Sequence, residues 1–384
     1  MNTVLFEAID SLFGEYLNVW EDICNIESPT DYKAGVDAVC DYCIKKAESL
    51  GWQTDVFRHI VAGNAACITM NPEAKSSPIC LSAHMDTVHP VGSFGTPAVR
   101  RDAERIYGPG VVDCKGGIAV AFLAMHALQL AGFNSRPIKL ILQSDEETGS
   151  STSGKETIKY MCDMSKDAVA FLNLEGHSFG SDELCLKRKG VLTFEFSVQG
   201  KEGHASQCAS VGANAILEAS HKIIELEKFK DAAKVTCCSS VIEGGSVVNT
   251  VPGKCTFKVN VRFATKDEES WIKNYCKELA ERVFVPGCKT TVKIKSSRPA
   301  MELTEKNIKL LEKMNTIFEK NGLSVYRPGS RLGGSDAAYT TALGIPTVDN
   351  IGAEGGGIHS PEEYGILKSL SVMAKRIAAV ISDF

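Results

Sequence analysis

The segment PIKLILQSDEETGS, residues 137–150, joins a continuous apolar run to three consecutive carboxylates. The apolar run predicts a strand that is buried on both faces of a sheet. Asp145, Glu146 and Glu147 follow at its end, and carboxylates crowded at one point repel each other unless one of them binds a proton or a cation is present. Either these groups point separately into solvent, or a positive charge lies among them.

Three other apolar segments have the same character as this strand. They are AACITM (65–70), ICLSAH (79–84) and AVAFLNL (168–174), and each is short and continuously apolar. Between them, GGIAVAFLAMHALQLAG (116–132) is apolar almost all round, which predicts a helix packed against the sheet. Because strands alternate with helices up to about residue 180, this part of the chain is predicted to form an α/β layer structure.

The pattern changes between residues 184 and 296. The segments there follow the order strand, helix, strand, strand, helix, strand, which is the order of a ferredoxin-like unit. After residue 297 the α/β pattern returns. We therefore predict an α/β domain with a central sheet flanked by helices, formed by residues 1–183 and 297–384, and an inserted ferredoxin-like α+β domain at residues 184–296.

Composition narrows the class of protein. The chain has 384 residues and a formal net charge of -5, which argues against a broad nucleic-acid-binding surface. Its first 24 residues predict an amphipathic helix and not a signal peptide, and no apolar segment is long enough to span a membrane.

Fourteen cysteines without a signal peptide fit free thiols in a reducing cytoplasm. For Cys40 and Cys43, core packing is favoured over a metal or redox role.

Residue types that bind metals stand at the ends of the predicted strands and in loops. In an open α/β sheet, side chains at the carboxyl ends of the strands converge, however far apart they lie in the sequence. His84 and Asp86 leave the same face of an extended segment, so the carboxylate can support a metal-binding imidazole. Each residue taken alone also fits a surface group, a helix cap or a solvated carboxylate. The candidates are His84, Asp86, Asp113, Glu146, Glu147, Glu175 and His359.

Several short motifs together resemble one enzyme family. The chain contains, in this order, SAHMDTVHP, YGPGVVDCKGG, QSDEETGS, NLEGH, GKEGHAS, GGSDAAYTTALGIP and a late GIHS. In this combination they resemble the dinuclear zinc exopeptidases that include glutamate carboxypeptidase, aminoacylase and succinyl-diaminopimelate desuccinylase. The resemblance covers nearly the whole chain, and GGSDAAYT with SRPA (297–300) is most similar to the glutamate carboxypeptidase branch.

The resemblance implies a pair of metal ions in each subunit. It places His84 and Glu175 on one ion, Glu147 and His359 on the other, and Asp113 between the two. Nitrogen and carboxylate-oxygen ligands with open positions fit catalytic zinc. The same ligands also accept Co2+ or Mn2+.

The resemblance also implies three catalytic side chains. Glu146 would act as general base, taking a proton from the attacking water and passing it to the leaving nitrogen. Asp86 would support the imidazole of His84. His204, in the inserted domain, would reach the active site of a partner subunit and stabilise the oxyanion, which implies a homodimer whose inserted domain acts as a lid. Without the family, His204 is better interpreted as a turn or capping residue.

Candidate substrate contacts lie in the inserted domain and just after it. The resemblance implies that Arg262 and Arg298 grip a substrate carboxylate, a task that suits a planar bidentate donor, and that Asn249 lies beside the substrate. An arginine on an alternating strand such as that of Arg262 otherwise marks a solvated face. The turn at Gly334 either presents backbone N–H groups to a carboxylate or is simply a turn in which Ser335 caps a helix.

Two residues depart from the family pattern. Cys114 follows Asp113 at a position where the family usually has an acid or an aliphatic residue, which leaves the local peptide geometry and the metal preference open. His177 lies two residues after Glu175, and we expect it to line the entrance of the site.

The favoured function is that of a zinc-dependent hydrolase that removes a C-terminal, acidic amino acid from a small peptide or an N-acyl conjugate. An N-acyl amino acid deacylase or desuccinylase is the alternative, with the same metal site and different pockets. A third possibility is a non-catalytic relative that binds a metal or metabolite, and the presence of Glu146, His204 and Asp113 disfavours it.

Overall fold

The computed structural model describes residues 3–384, and the chain forms two units. Unit 1 holds the metal-ligand candidates, and unit 2 holds the candidate substrate contacts and His204. Unit 1 contains the chain up to Leu186 with Leu303–Ser330 and Tyr339–Phe384, and unit 2 contains Lys187–Glu302 and Arg331–Ala338.

Three segments differ from the division expected from the sequence. Residues 184–186 belong to unit 1 and residues 297–302 belong to unit 2, each opposite to the expectation. Arg331–Ala338 is expected in the first domain, but in the structure it belongs to unit 2. Hydrogen bonds to unit 2 explain the position of Arg331–Ala338, because the N–H of Lys189 donates to the carbonyl oxygen of Arg331 (3.4 Å), and the side-chain Nη1 of Arg188 donates to that of Gly333 (3.2 Å). Such contacts join residues far apart in sequence, which no local pattern predicts.

The elements of residues 3–384 are numbered in chain order. The helices are α1 (Thr3–Asn25), α2 (Lys33–Ser49), α3 (Lys115–Leu130), α4 (Glu156–Met164), α5 (Ala215–Leu226), α6 (Lys266–Glu281), α7 (Glu305–Lys320), α8 (Ala337–Ala342) and α9 (Leu367–Asp383). The strands are β1 (Gln53–Phe57), β2 (Ala65–Met70), β3 (Ile79–His84), β4 (Arg100–Arg101), β5 (Arg105–Tyr107), β6 (Ile138–Gln143), β7 (Ala170–Asn173), β8 (His177–Ser178), β9 (Glu183–Arg188), β10 (Gly190–Gln199), β11 (Gly203–His204), β12 (Thr236–Gly244), β13 (Thr250–Val251), β14 (Lys254–Phe263), β15 (Lys289–Arg298), β16 (Arg327–Arg331), β17 (Thr347–Val348), β18 (Glu354–Gly356) and β19 (Tyr364–Ile366).

The main sheet of unit 1 brings the predicted strands together. Its order is β1-β2-β6-β3-β7-β17, in which β6, β3, β7 and β17 are parallel and β2 is antiparallel to its neighbours. The segments AACITM and ICLSAH coincide with β2 and β3, so these two predictions are confirmed. The three parallel strands β6, β3 and β7 are neighbours, and their carboxyl ends therefore meet at one edge of the sheet.

Apolar side chains cover both faces of this sheet. On one face, α1, α3 and α9 pack around Leu81, Trp20 and Ile118, and on the other α4 packs against Cys80 and Phe171. The α/β fold predicted from the sequence is confirmed. The predicted N-terminal helix is present as α1, while residues 1–2 of that prediction lie outside the described part of the chain.

The cysteines contribute to packing. All 14 cysteine residues have free thiols. Cys40 and Cys43 are buried in the main core of unit 1, and burial raises the pKa of the Cys40 thiol to about 12. A thiol with so high a pKa is a poor nucleophile and a poor metal ligand at neutral pH.

A second, smaller sheet in unit 1 frames one of the candidate ligands. Its order is β4-β5-β19-β18-β8. The loop between β18 and β19 carries His359, and the antiparallel pairing of Gly355 with Gly365 closes its base. This loop is therefore a turn fixed at both ends, which suits a residue that must hold a metal in one place.

Unit 2 has the ferredoxin-like order predicted from the sequence. Its sheet runs β12-β14-β10-β15, and α5 and α6 pack on it around a core that includes Phe196 and Phe257. Within α5, Lys222 Nζ forms a buried ion pair with Glu218 Oε1 at 3.0 Å, and the same Nζ joins the two helices by donating to the carbonyl oxygen of Leu279 in α6 at 2.6 Å. Over residues 3–384, the helices are all too short or too polar to cross a membrane.

Candidate metal centre

Three neighbouring strands of unit 1 end in candidate ligands. His84 is the last residue of β3, the 3-10 turn Glu146–Thr148 follows β6, and Glu175 follows β7. Because β6, β3 and β7 are adjacent and parallel, these residues leave the sheet at the same edge. The topology alone therefore brings a histidine and two glutamates together from segments that are far apart in the sequence.

Asp113 and His359 complete this group from two loops. Asp113 precedes α3, and His359 lies between β18 and β19. Asp113 Oδ1 lies 3.1 Å from His84 Nε2, and Asp113 Oδ2 lies 3.1 Å from His359 Nε2. One carboxylate thus faces two imidazoles, one with each oxygen.

The two glutamates divide between the two histidines. Glu175 Oε2 lies 3.7 Å from His84 Nε2, and Glu147 Oε2 lies 3.3 Å from His359 Nε2. Each half of the group therefore contains one imidazole and one glutamate, with Asp113 shared between them. The structure brings together all five residues that the sequence analysis assigned to metal binding.

The pKa shifts within this group indicate that its carboxylates need additional positive charge nearby. Burial raises the pKa of Glu147 to about 8 and that of Glu175 to about 7, although the nearby histidines oppose the rise. Hydrogen bonds to Asp113 and Glu147 raise the pKa of His359 to about 10. For Asp113, burial alone would raise the pKa, but His359 and His84 outweigh it and hold the pKa below its usual range. Without a metal, protons on these residues would supply the positive charge that the carboxylates need.

The donors of this group fit a pair of divalent ions. Imidazole nitrogen and carboxylate oxygen are ligands of catalytic zinc, and each half offers both. Glu147 Oε1 is buried, and none of residues 3–384 donates a hydrogen bond to it. A buried acceptor without a donor is rare in proteins, and a cation at this position would satisfy it.

Asp86 holds the turn that carries the glutamates. Its carboxylate accepts hydrogen bonds from Thr30 Oγ1 (2.7 Å) and from the backbone N–H groups of Glu146 and Glu147 (3.1 Å each). The nearest partner of His84 Nδ1 is the backbone oxygen of Asp86 at 2.9 Å, and the Asp86 carboxylate lies farther away at 3.4 Å. Asp86 thus holds the His84 imidazole mainly through the Asp86 backbone oxygen. The sequence predicts a contact through the Asp86 carboxylate instead.

The three consecutive carboxylates have different environments. Asp145 turns away from the ligands and accepts hydrogen bonds from the Ser153 backbone N–H (2.8 Å) and from Thr157 Oγ1 (2.6 Å). Glu147 faces His359. Glu146 is buried, and its charge contributes to the raised pKa values of both Glu147 and Glu175, so it lies in the same group.

Cys114 and His177 do not line an entrance to the site. Cys114 Sγ is buried, accepts a hydrogen bond from the His84 backbone N–H (3.3 Å) and contacts the carbonyl oxygen of Leu174 (3.5 Å). The expectation for His177 is wrong, because its ring is buried between the backbone oxygens of Asn350 (2.8 Å) and Ser181 (2.9 Å). Its contacts are with the main chain and hold neighbouring segments together.

His204 lies in unit 2 on an exposed turn. Its Nδ1 contacts Ser206 Oγ (2.7 Å) and accepts a hydrogen bond from the Ser206 backbone N–H, so the ring caps the short 3-10 turn that follows. The neighbouring Asn249 accepts a hydrogen bond from the Ala205 N–H through its backbone oxygen (2.8 Å). The other face of the His204 ring is open to solvent.

Arg262 and Arg298 lie side by side in unit 2. Both pair with Val191, one from each neighbouring strand, so the two side chains leave the same face of the sheet. Burial, and then the charge of Arg298, lower the pKa of Arg262. A Cβ atom at Gly334 would come within 2.7 Å of Arg298 Cδ, which shows how closely the turn approaches this pair. Ser335 Oγ also accepts a hydrogen bond from the Ala337 N–H (3.2 Å), so the capping interpretation of this turn also holds.

Two buried side chains of the metal centre are absent from the sequence analysis. Thr30 holds Asp86, and Glu363 accepts hydrogen bonds from the loop that carries Asp113. No local motif marks Thr30. Glu363 lies four residues after His359 in HSPEEYG. Its position directly before strand β19 is the one sequence signal that could have identified it.

Comparisons with known proteins agree with this geometry. A sequence model of "Peptidase family M20/M25/M40" matches residues 80–383. The chain is 27% identical to carboxypeptidase G2 of Pseudomonas sp. (strain RS-16) over 388 residues, covering 100% of this chain and 92% of that protein. It is 25% identical to a succinyl-diaminopimelate desuccinylase of Nautilia profundicola over 323 residues, covering 80% of this chain and 84% of that protein.

Solved structures show the same fold. The structure of aminopeptidase PepT from Bacillus cereus ATCC 10987 is 20% identical, covers 97% of this chain and 98% of that chain, and gives a TM-score of 0.78. An M20 family metallo-carboxypeptidase, Sso-CP2 from Sulfolobus solfataricus, is 18% identical, covers 96% of this chain and 98% of that chain, and gives a TM-score of 0.71. These comparisons confirm the family resemblance that the sequence motifs indicate.

Proposed function

The chain belongs to peptidase family M20/M25/M40 and is a hydrolase of peptide or amide bonds, and we propose that it removes a C-terminal, acidic amino acid from a small peptide or N-acyl conjugate. We propose two zinc ions per subunit, with Co2+ or Mn2+ as alternatives. The observation that carries the proposal is Asp113, whose two oxygens each lie 3.1 Å from a different histidine.

The metal ligands follow from the two halves of the group. His84 and Glu175 would hold one ion, Glu147 and His359 would hold the other, and Asp113 would be shared between the two halves. When bound, the ions supply polarisation of the scissile carbonyl and a nucleophilic water at neutral pH. Asp86 keeps the two glutamates at a fixed place by binding their backbone N–H groups.

Glu146 performs the proton transfers in this proposal. It lies next to a metal ligand in the same 3-10 turn, and its carboxylate lies within the charged group. It takes the proton of the attacking water and delivers it to the leaving nitrogen as the amide bond breaks. His204 stabilises the charge that develops on the carbonyl oxygen.

The proposed substrate class rests on the arginine pair. Two guanidinium groups on one face of a sheet repel each other, and Asp336 Oδ1, at 3.7 Å from Arg298 Nη2, offsets part of this repulsion. A substrate carboxylate that binds both arginines would offset more of it. Arg262 and Arg298 are so placed, with Gly334 and Asn249 as further contacts in unit 2. The name of the relative carboxypeptidase G2 supports removal of a C-terminal amino acid. The desuccinylase relative supports the second candidate, an N-acyl amino acid deacylase.

A homodimer is part of the proposal, with His204 acting in the partner's site. Strand β12 lies at the edge of the unit 2 sheet, where backbone groups can pair with another chain. Apolar side chains near it are exposed, among them Leu217 (48%), Ile224 (59%) and Ile242 (51%). A second copy would cover such a surface. A cytoplasmic location is proposed from the 14 free thiols.

Replacing Glu146 by alanine and replacing Glu147 by alanine are expected to have different effects on activity and zinc content. Glu146→Ala should lower kcat by at least about 100-fold, because proton transfer is lost, while two zinc ions remain bound. Glu147→Ala should lose zinc, because one half of the group loses its carboxylate. Zinc content after dialysis and kcat with saturating substrate distinguish the two, with Asp145→Asn as a control for a carboxylate that does not face the ligands. Equal zinc loss in both variants would refute the assignment of Glu146.

Substrate preference tests the arginine pair. Wild-type protein should hydrolyse N-acyl-glutamate and N-acyl-aspartate faster than N-acyl-alanine or N-acyl-lysine. Arg262→Met should lower kcat/KM for N-acyl-glutamate by about 10- to 100-fold, because charge-assisted hydrogen bonds are lost, and should change the alanine substrate little.

The matched control is Arg282→Met, which removes an exposed arginine elsewhere in unit 2. A preference for the basic amino acid would contradict the proposed class. Indifference to the amino acid combined with strong selection of the acyl group would favour the deacylase.

Mixing of inactive subunits tests the role of His204. Glu146→Ala and His204→Ala are each expected to be inactive as pure dimers. After exchange of subunits, about a quarter of wild-type activity should return, because half of the dimers are mixed and each has one site with both residues intact. No recovery, although mixed dimers form, would show that His204 does not act across subunits.

A further inference from the structure

The carboxylate of Glu363 has four hydrogen-bond donors around it and no contact with solvent. Its Oε1 accepts from the backbone N–H groups of Val112 (2.9 Å) and Asp113 (3.0 Å). Its Oε2 accepts from the backbone N–H of Gly110 (3.3 Å) and lies 2.8 Å from His89 Nε2. The side chain is 0% exposed. The proposed mechanism gives this buried carboxylate no role.

Two carbonyl oxygens of the loop 110–113 have hydrogen-bond donors outside Glu363. Trp20 Nε1 donates to the carbonyl oxygen of Val111 (3.0 Å), and the Lys115 N–H donates to that of Gly110 (2.9 Å). Three backbone N–H groups therefore depend on Glu363 alone among the described residues. A buried N–H without an acceptor is destabilising, so this carboxylate strongly restricts the path of the loop.

The last of these N–H groups belongs to the residue that is shared by both halves of the metal centre. Fixing the N–H of Asp113 fixes the position from which its side chain starts, and so limits the places that its two oxygens can reach. Glu363 itself ends the loop of His359, whose turn is closed by hydrogen bonds from Ser360 N–H to Gly357 O (3.0 Å) and from Glu363 N–H to Ser360 O (3.1 Å). One side chain thus joins the loop of Asp113 to the loop of His359.

His89 extends this connection to a third segment. It lies three residues after Asp86, which holds the turn with the two glutamates. Its ring is buried, contacts Glu363 and packs edge-on against Phe94 with a centroid distance of 4.9 Å. The segments of Asp86, Asp113 and His359 therefore meet at one carboxylate that is not itself a candidate ligand.

We propose that Glu363 is a positioning residue that sets the orientation of Asp113 toward His84 and His359 before metal binds. The inference rests on the metal pair of the proposed function. It predicts that Glu363 raises zinc affinity, since residues that orient metal ligands typically contribute 10- to 100-fold. A purely structural role would stabilise the fold and leave zinc affinity unchanged.

The test compares Glu363→Gln with wild-type protein. Glutamine has nearly the same size, but it is neutral and its N–H2 group replaces one of the two acceptor oxygens. The charge-assisted hydrogen bonds to the loop 110–113 are therefore weakened, and two of the four donors lose their acceptor in either orientation of the amide. The measurement is the pair of zinc dissociation constants, obtained by competition with a chelator at a temperature well below the unfolding of either metal-free protein. We expect zinc binding to weaken by about 10- to 100-fold.

The matched control is Glu362→Gln, which makes the same chemical change at the adjacent, exposed position. Its zinc affinity should equal that of the wild type. Zinc affinity of Glu363→Gln within twofold of the wild type, whatever happens to its unfolding temperature, would overturn the inference. Absence of zinc binding by the wild type would instead overturn the proposed function.

A second variant tests the positioning role of Glu363 if Glu363→Gln does not fold. His89→Phe removes one donor to the carboxylate and keeps an aromatic ring against Phe94. Zinc binding should weaken by about 2- to 10-fold, the effect of one lost hydrogen bond. Unchanged affinity in a folded His89→Phe protein would overturn the inference.

Discussion

Repulsion between carboxylates is the constraint on which the candidate metal centre of this protein depends. Asp113, Glu147 and Glu175 converge because the parallel strands β6 and β7 and the loop before α3 end at the same edge of a sheet. Burial makes this crowding costly, as the raised pKa values of Glu147 and Glu175 indicate. The two histidines reduce the cost when protonated, and a pair of divalent cations would remove it more completely while leaving the histidines neutral.

The surrounding structure serves to keep these charges in place. Asp86 binds the backbone of the two glutamates, and Asp145 anchors the next turn through Ser153 and Thr157. Both acids accept their hydrogen bonds from backbone N–H groups and threonine hydroxyls. Carboxylates that are neighbours in sequence thus have separate tasks, which is how three consecutive acids can occur at the end of a buried strand.

Much of the fold could be predicted from local sequence patterns. The apolar runs ICLSAH and AACITM mark their strands because a strand buried on both faces must be apolar throughout. The order of elements in unit 2 likewise follows from alternation and helical periodicity. The convergence of ligands at strand ends was predictable from topology, whereas the assignment of each ligand came from the family resemblance. Thr30, Glu363 and the contacts of His177 were not predictable, because they depend on residues that meet only in the folded chain.

Locating the bound metals is the most direct test of the proposed metal pair. Crystals of the zinc-loaded protein, measured on both sides of the zinc absorption edge, would reveal bound ions by their anomalous scattering. We expect two peaks, one between Asp113 and His84 and the other between Asp113 and His359. A single peak, or peaks that do not touch Asp113, would contradict the claim that a shared carboxylate holds a pair of ions.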